Sequence, residues 1–169
     1  MKKNFKNTNL PIDDERLRLA LGHFLTGLTI VTVTNSDGLP YGLTVNSFNS
    51  VSLSPPLILW SLDRRNEHLK IFQDARGFAV NIMASTQVQL CERFANSDQE
   101  RFTNCDWSYG KFGQPVLNGS LVNMECKQWA EYDGGDHCIF VGEVQSIKIG
   151  VGMPIAFYQG KISEYKPSE

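Results

Sequence analysis

A mainly β, α+β fold is what this sequence predicts: an antiparallel barrel with a few flanking helices, on three observations. Short β-branched or alternating segments recur along the 169 residues, separated by turn compositions such as Asn35-Ser36-Asp37-Gly38 and Asp133-Gly134-Gly135-Asp136. Helical periodicity is confined to two or three brief stretches. No Gly-x-Gly-x-x-Gly follows a strand, which argues against a Rossmann sheet.

The polar start, residues 1–12, reads as an N-terminal tail and residues 13–166 as one domain. A helix is expected from Asp13 to Phe24, because Leu17, Ala20, Leu21 and Phe24 recur at helical spacing behind Asp13 and Asp14. Leu28 to Thr34 is β-branched and leads through the Asn35 to Gly38 turn into a strand beginning near Tyr41, a β-hairpin. If Gly42 to Leu53 stays extended, Leu43, Val45, Val51 and Leu53 share a core face. Thr44, Asn46, Phe48, Ser50 and Ser52 then share a hydroxyl-rich one.

Pro55-Pro56 interrupts pairing before the apolar strand Leu57 to Leu62. Asp63 to Glu67 is a charged connection into a short helix with Leu69, Ile71 and Phe72, and Phe78 to Met83 is another strand. Thr86-Gln87-Val88-Gln89 has the form of a capping box, followed by Leu90, Cys91 and Phe94 on one side of a helix. Asn96 to Gly113 has no period and is expected to be a long ordered loop. Leu121 to Tyr132 and His137 to Ile149 form a long hairpin, and Pro154 to Tyr165 supplies the closing strands.

Charge excludes several functions. Lys and Arg number 16 against 18 Asp and Glu, a net −2, and no basic cluster offers a grip on nucleic acid or anionic membrane. No apolar stretch approaches a membrane span and no signal peptide is evident, so a cytoplasmic protein is expected. Cys91, Cys105, Cys126 and Cys138 form no Cys-x-x-Cys pair and read as reduced, buried small residues. His23, His68 and His137 are far apart, and no metal site is expected.

Nucleophilic acyl transfer has little support, since no Gly-x-Ser-x-Gly elbow is present. The uncharged polar face from Thr44 to Ser52 is either the solvated side of a strand or a seat for a planar heterocycle with hydrogen-bonding edges. Gly134-Gly135-Asp136-His137 is either a tight turn with an incidental histidine or a device that aims an imidazole into a cleft. Arg64-Arg65-Asn66-Glu67-His68 is either a phosphate seat at a helix start or a solvated connection whose arginines pair with Asp63 and Glu67.

Together these segments resemble the flavin reductase family with the FMN-binding split-barrel fold, the small NAD(P)H-dependent reductases of two-component flavin monooxygenases. The landmarks are Phe24 to Thr32, Gly42-Leu43-Thr44-Val45-Asn46-Ser47-Phe48 followed by Ser50 to Leu57, and Gly135-Asp136-His137 before Gly142-Glu143-Val144. The resemblance implies that Thr44, Val45, Asn46 and Ser47 lie along the isoalloxazine ring, with Ser61 and Leu62 near the ribityl-phosphate. Asn66 and His68 stand where relatives commonly carry Ser or Thr as phosphate ligands, and Phe94 resembles the family's aromatic near the flavin. The Gly-Asp-His triplet is linked to nicotinamide binding, which makes His137 the candidate catalytic residue, positioning the nicotinamide or handling protons near it.

The function so implied is reduction of FMN or FAD by hydride from NADH or NADPH, with reduced flavin supplied to a separate monooxygenase. A homodimer with flavin near the interface is implied as well, and Trp60, Trp107 and Trp129 are more aromatic bulk than a small core requires. Two alternatives stand beside this: a flavoprotein that keeps its FMN and reduces another acceptor, and a non-catalytic FMN-binding protein.

Overall fold

The computed structural model describes residues 12–96 and 100–165. The expected tail of residues 1–12 lies outside them, Ile12 excepted. In chain order the elements are α1 (Asp14–Leu21), β1 (Thr29–Thr34), β2 (Pro40–Val45), β3 (Asn49–Leu53), β4 (Pro56–Asp63), α2 (Leu69–Asp74), β5 (Gly77–Ile82), a 3-10 turn (Ser85–Gln87) and α3 (Val88–Ala95). Then follow β6 (Trp107–Tyr109), β7 (Pro115–Leu117), β8 (Val122–Gly134), β9 (His137–Ile149), β10 (Ile155–Tyr158) and β11 (Lys161–Glu164).

Seven strands form one antiparallel sheet in the order β2-β1-β5-β8-β9-β4-β3. Its two edge strands, β2 and β3, are consecutive in sequence and separated only by Asn46, Ser47 and Phe48. A flat sheet of this size would hold its edges roughly 29 Å apart, whereas the link spans no more than about 15 Å. The sheet therefore curls on itself, and the short link crosses the gap between its edges. The barrel is mainly β and antiparallel as the sequence predicts.

Burial on both faces of β1 explains its β-branched composition. Val31 and Val33 join Trp60, Phe78 and Phe140 in the barrel interior, while Ile30 packs with Met83, Cys91, Phe94 and Leu117 beneath α3. Each aliphatic side chain buried this fully contributes about 1.5–3 kcal/mol. Trp60 is 0% exposed and stacks on Phe140, ring centroids 4.6 Å apart. Buried Asn81 donates to Ile30 O at 2.9 Å and accepts from Leu117 N at 2.9 Å and Asn123 Nδ2 at 2.7 Å, which ties β7 onto the sheet. The β1–β2 and β8–β9 turns use Gly38 and Gly135, both with φ in the left-handed region that glycine enters at no steric cost.

Several expectations are corrected. Helix α1 is capped by Asp13, whose Oδ1 accepts from Arg16 N at 2.7 Å, but it stops at Leu21 and buries none of its residues. Leu17, Leu21 and Phe24 stand exposed rather than facing a core. Gly42 to Leu53 is not one strand, because the chain leaves β2 at Val45 and crosses to the other sheet edge. The alternation resets there, so Leu43 and Val45 are buried while Val51 and Leu53 are exposed, Leu53 at 96%.

The start of α3 is not capped by Thr86 and Gln89. Gln87 Oε1 accepts from Ala84 N at 3.2 Å instead, through the 3-10 turn. The region expected to be loop holds β6, paired with β7 in a small two-stranded sheet. Strands β10 and β11 pair only with each other and attach through the Thr26–Phe157 and Ala84–Pro154 bridges, so they do not close the main sheet. Of the three tryptophans only Trp60 is deep core; Trp107 is half-buried and Trp129 exposed.

Candidate active site

Where the curled sheet leaves its gap, a cleft of ≈280 Å³ opens between β2, the end of β4, the start of β9 and α3. It brings together Thr44, Val45, Asn46, Ser47, Ser61, Leu62, Asn66, Phe94 and His137, residues drawn from four distant segments of the chain. An adjoining apolar pocket of ≈240 Å³ shares Thr44, Val45 and Asn46 and adds Leu28, Cys91, Phe157 and Ile162.

Strand β2 pairs with β1 on one side only, so half of its backbone groups point elsewhere. Val45 C=O accepts from Thr29 Oγ1 at 3.2 Å on the β1 side, whereas Gly42 C=O accepts from Arg101 Nη1 at 2.8 Å on the other. Alternation along the strand puts the Thr44 N–H and C=O on the same outward side as Gly42. The cleft is thus offered a backbone donor and acceptor side by side. The hydroxyls of this segment are largely committed to the fold. Thr44 Oγ1 donates to Cys91 O at 2.7 Å, and Ser47 Oγ accepts from Ser61 N and donates to Ser61 O, each at 3.0 Å. Asn46 remains exposed at the cleft mouth.

The other predicted residues divide by depth. Leu62 is buried and Phe94 is 0% exposed, its ring edge-on to Phe102 at 5.0 Å, so Phe94 forms the floor under the cleft rather than an open stacking face. Asn66 is half-buried; its Oδ1 accepts from His68 N at 2.9 Å, and its Nδ2 makes no bond among the described residues. His68 does not line this cleft. It lies in the next pocket against Tyr41, ring centroids 5.5 Å apart, with Nε2 3.3 Å from Glu67 Oε1.

His137 stands opposite Asp63 in the β4–β9 register and holds its Nδ1 2.7 Å from Asp136 Oδ1. That proximity holds the Asp136 carboxyl below its ordinary range. An ionised carboxylate can only accept, so Nδ1 carries the proton and Nε2 is the nitrogen left for a ligand. Arg64 and Arg65 are both engaged in ion pairs, as a solvated connection would have them, though Arg64 does not take Glu67 as its partner. Arg65 pairs with Asp63, and its guanidinium drives that carboxyl far below the usual range. Arg64 reaches instead to the turn that carries Asp136: its N donates to Asp136 O at 2.9 Å, its Nε to Gly135 O at 2.9 Å and its Nη2 to Asp133 Oδ1 at 2.8 Å.

One residue of the cleft escapes sequence reasoning. Arg101 comes from the aperiodic region after α3, where a lone cation carries no signal, yet it lines the cleft beside Gly42 and Ala95. Chemically the arrangement offers neutral donors and acceptors along one wall, an oriented imidazole on another and one guanidinium at the end. That set suits a planar polar ring carrying a phosphate.

The fold and this cleft define a split-barrel flavoprotein type of site, and sequence comparison gives its family. The chain belongs to the flavin reductase like domain family, whose profile matches residues 21–166. It is 41% identical over 148 residues to the "FMN reductase (NADH) SmoA" of Agrobacterium fabrum, covering 88% of this chain and 84% of that protein. It is 36% identical over 159 residues to the reductase subunit HsaB of a flavin-dependent monooxygenase from Rhodococcus jostii, covering 94% and 81%. Among solved structures, the Streptomyces globisporus NADH:FAD oxidoreductase in complex with NAD and FAD fragments superposes with a TM-score of 0.86 at 35% identity, covering 92% of this chain and 94% of that one. The chain is a flavin reductase.

Proposed function

We propose that the cleft binds flavin with its ring along Thr44 to Ser47, that His137 positions the nicotinamide of NADH or NADPH against it, and that the reduced flavin passes to a separate monooxygenase. The observation that carries this reading is the outward-facing Thr44 backbone pair on the free edge of β2, within a cleft whose far wall is His137. The two nucleotides themselves supply the chemistry, hydride transfer from nicotinamide to flavin. The protein's part is to hold the rings in register and to meet the charge that develops at the ring edge with fixed neutral donors, which cost no reorganisation. The Thr44 N–H and the Asn46 amide are such donors. His137 Nε2 is free to hold the nicotinamide carboxamide, its ring fixed from behind by Asp136.

A homodimer extends this reading. Leu53 and Val151 are apolar and almost wholly exposed, and Trp129 on β8 and Ile147 and Ile149 on β9 are exposed as well, more apolar surface than a few scattered solvent contacts. A cytoplasmic setting accords with four free cysteines, and no helix among the described residues is long and apolar enough to cross a membrane.

The test is anaerobic. Purified protein is mixed with excess FMN or FAD, NADH or NADPH is added, and the flavin absorbance is followed. Bleaching of many equivalents is the expected result. Bleaching of one bound equivalent would make the chain a retained-flavin enzyme, and no bleaching with flavin bound would make it a binding protein.

A further inference from the structure

Asp63 ends β4 in register with His137 on β9, and facing residues of neighbouring strands turn their side chains to the same face of the sheet. Both line the cleft. Among the described residues that do, Asp63 is the one carboxylate, and Arg101, bonded to Gly42 O at β2, the one guanidinium. Arg65 fixes the Asp63 carboxylate: Oδ1 accepts from Arg65 N at 2.8 Å and from Nε at 3.1 Å, and Oδ2 accepts from Nη2 at 2.7 Å. The pair is lopsided. The Asp63 side chain is 31% exposed against 79% for Arg65, and Arg65 stands outside the cleft lining. The negative end of the pair therefore faces the cleft and the positive end faces water, where solvent and salt screen it. The same guanidinium keeps Asp63 ionised at neutral pH.

We propose that Asp63 stabilises the positive charge that develops on the nicotinamide ring as hydride leaves it, so that this carboxylate promotes the transfer and favours the oxidised nucleotide over the reduced one. The proposal rests on the reading of the cleft above and adds a residue to the reaction. Hydride leaves nicotinamide C4 with the electron pair of its C–H bond and forms the N5–H bond of the reduced flavin. The nucleotide is left oxidised with one positive charge on its ring, and the flavin edge with one negative charge. Charge of opposite sign thus grows on the His137 side and on the β2 side. A fixed carboxylate on the first and neutral donors on the second are arranged in that sense, and neither has to reorganise as the charge moves. Asp136 adds to the field from behind the imidazole, 2.7 Å from Nδ1, while Arg64 and Asp133 pair with each other on the turn. A group that meets the cationic ring more strongly than the neutral one lowers the barrier rather than KM.

The experiment compares the wild-type chain with Asp63→Asn, Asp63→Glu and Arg65→Gln, each loaded with flavin and checked for folding by circular dichroism. Two ligands are titrated: NAD+, whose ring is cationic, and a tetrahydronicotinamide analogue of NADH, whose ring is neutral and holds no transferable hydride. Anaerobic stopped flow then reads single-turnover hydride transfer from NADH. Asp63→Asn can still accept from Arg65 N, so the turn should hold. It is expected to bind the analogue within about twofold of the wild type, to bind NAD+ about three- to tenfold more weakly, and to transfer hydride about two- to fivefold more slowly. Asp63→Glu should recover part of both losses. Arg65→Gln removes the opposing charge but keeps the backbone donor, and should hold NAD+ at least as tightly as the wild type. An unchanged ratio of NAD+ to analogue affinity in Asp63→Asn overturns the proposal. Weakening of both ligands alike would make Asp63 a support of the turn, and a weaker flavin Kd with nucleotide binding intact would set it against the flavin; either result overturns the proposal too. Absence of hydride transfer in the wild type would sink the reading of the cleft itself, which separates the two failures.

Discussion

Ser47 and Ser61 exchange a reciprocal pair of hydrogen bonds, the Ser47 hydroxyl accepting from the Ser61 N–H and donating to the Ser61 C=O, each at 3.0 Å. No strand pairing joins β2 to β4 there, so one side chain stands in for a rung of the sheet across the gap in the barrel. It also fixes the link Asn46 to Phe48 that forms one wall of the cleft.

Replacing that hydroxyl tests whether the gap and the site share a support. Ser47→Ala leaves the Ser61 N–H and C=O half-buried without partners, a cost of about 1–3 kcal/mol. Urea unfolding should report that loss, and flavin titration a several-fold weaker Kd in the protein that remains folded. Unchanged stability and unchanged Kd would show that water replaces the bridge without consequence.

Glycine at position 42 is required by packing rather than by backbone angle. A Cβ there would stand 2.8 Å from Phe94 Cε1 and 2.9 Å from Thr32 Cγ2, both in well-packed surroundings. Gly42→Ala should therefore cost about 1–3 kcal/mol. It should also shift Phe94 and the cleft floor, so flavin affinity falls together with the thermal midpoint. A variant as stable as the wild type would mean that α3 gives way freely.

How far the sequence reveals this site depends on whether one local pattern decides it. The hairpin at Asn35 to Gly38 and the long β8–β9 hairpin are legible because their turns demand residues of a kind. The break at Asn46 to Phe48 is not, since Leu43, Val45, Val51 and Leu53 keep one parity on either side of it and only the closing of the barrel turns the chain there. The exposed stripe of α1 shows the same limit: periodicity reports that Leu17 and Leu21 share a side, not that anything covers it. Thr44, Asn46 and His137 could be named because they sit in motifs with a family resemblance. Arg101 could not, because its role arises from where an aperiodic segment happens to pass.

Arg64 binds three acceptors on the turn that presents Asp136 and His137, so it would position the wall proposed to meet the nicotinamide. Its side-chain pair with Asp133 is exposed and contributes little to stability. Arg64→Ala should then leave the fold nearly as stable while raising KM for NADH about three- to tenfold at nearly constant kcat, the pattern of lost ground-state positioning. The carboxyls of Asp133, which pairs with Arg64, and of Asp136, which pairs with His137, both lie below their ordinary value of 3.8 when folded. Their contribution is complete above that value and is lost as pH falls through the lowered ones. The Arg64 effect on KM should therefore be level from pH 6 to 8; a steep change across that range would implicate another group.

Asn46 sits exposed at the cleft mouth, on the segment proposed to meet the edge of the flavin that becomes negative on reduction. Asn46→Asp keeps the shape and adds one negative charge. Two like charges a few ångströms apart at a wet surface repel by about 1 kcal/mol, or a factor of about three to ten in affinity. Oxidised flavin carries no such charge on its ring and should bind within about twofold of the wild type, while the reduced form binds less tightly by that factor. The midpoint potential of bound flavin then falls below the wild-type value, and added salt shrinks the difference because the site is open to solvent. Potentiometric titration at low and high ionic strength reads both effects. Equal potentials for Asn46→Asp and the wild type at low salt would move the charged edge of the ring away from this strand, and with it the placement of the flavin.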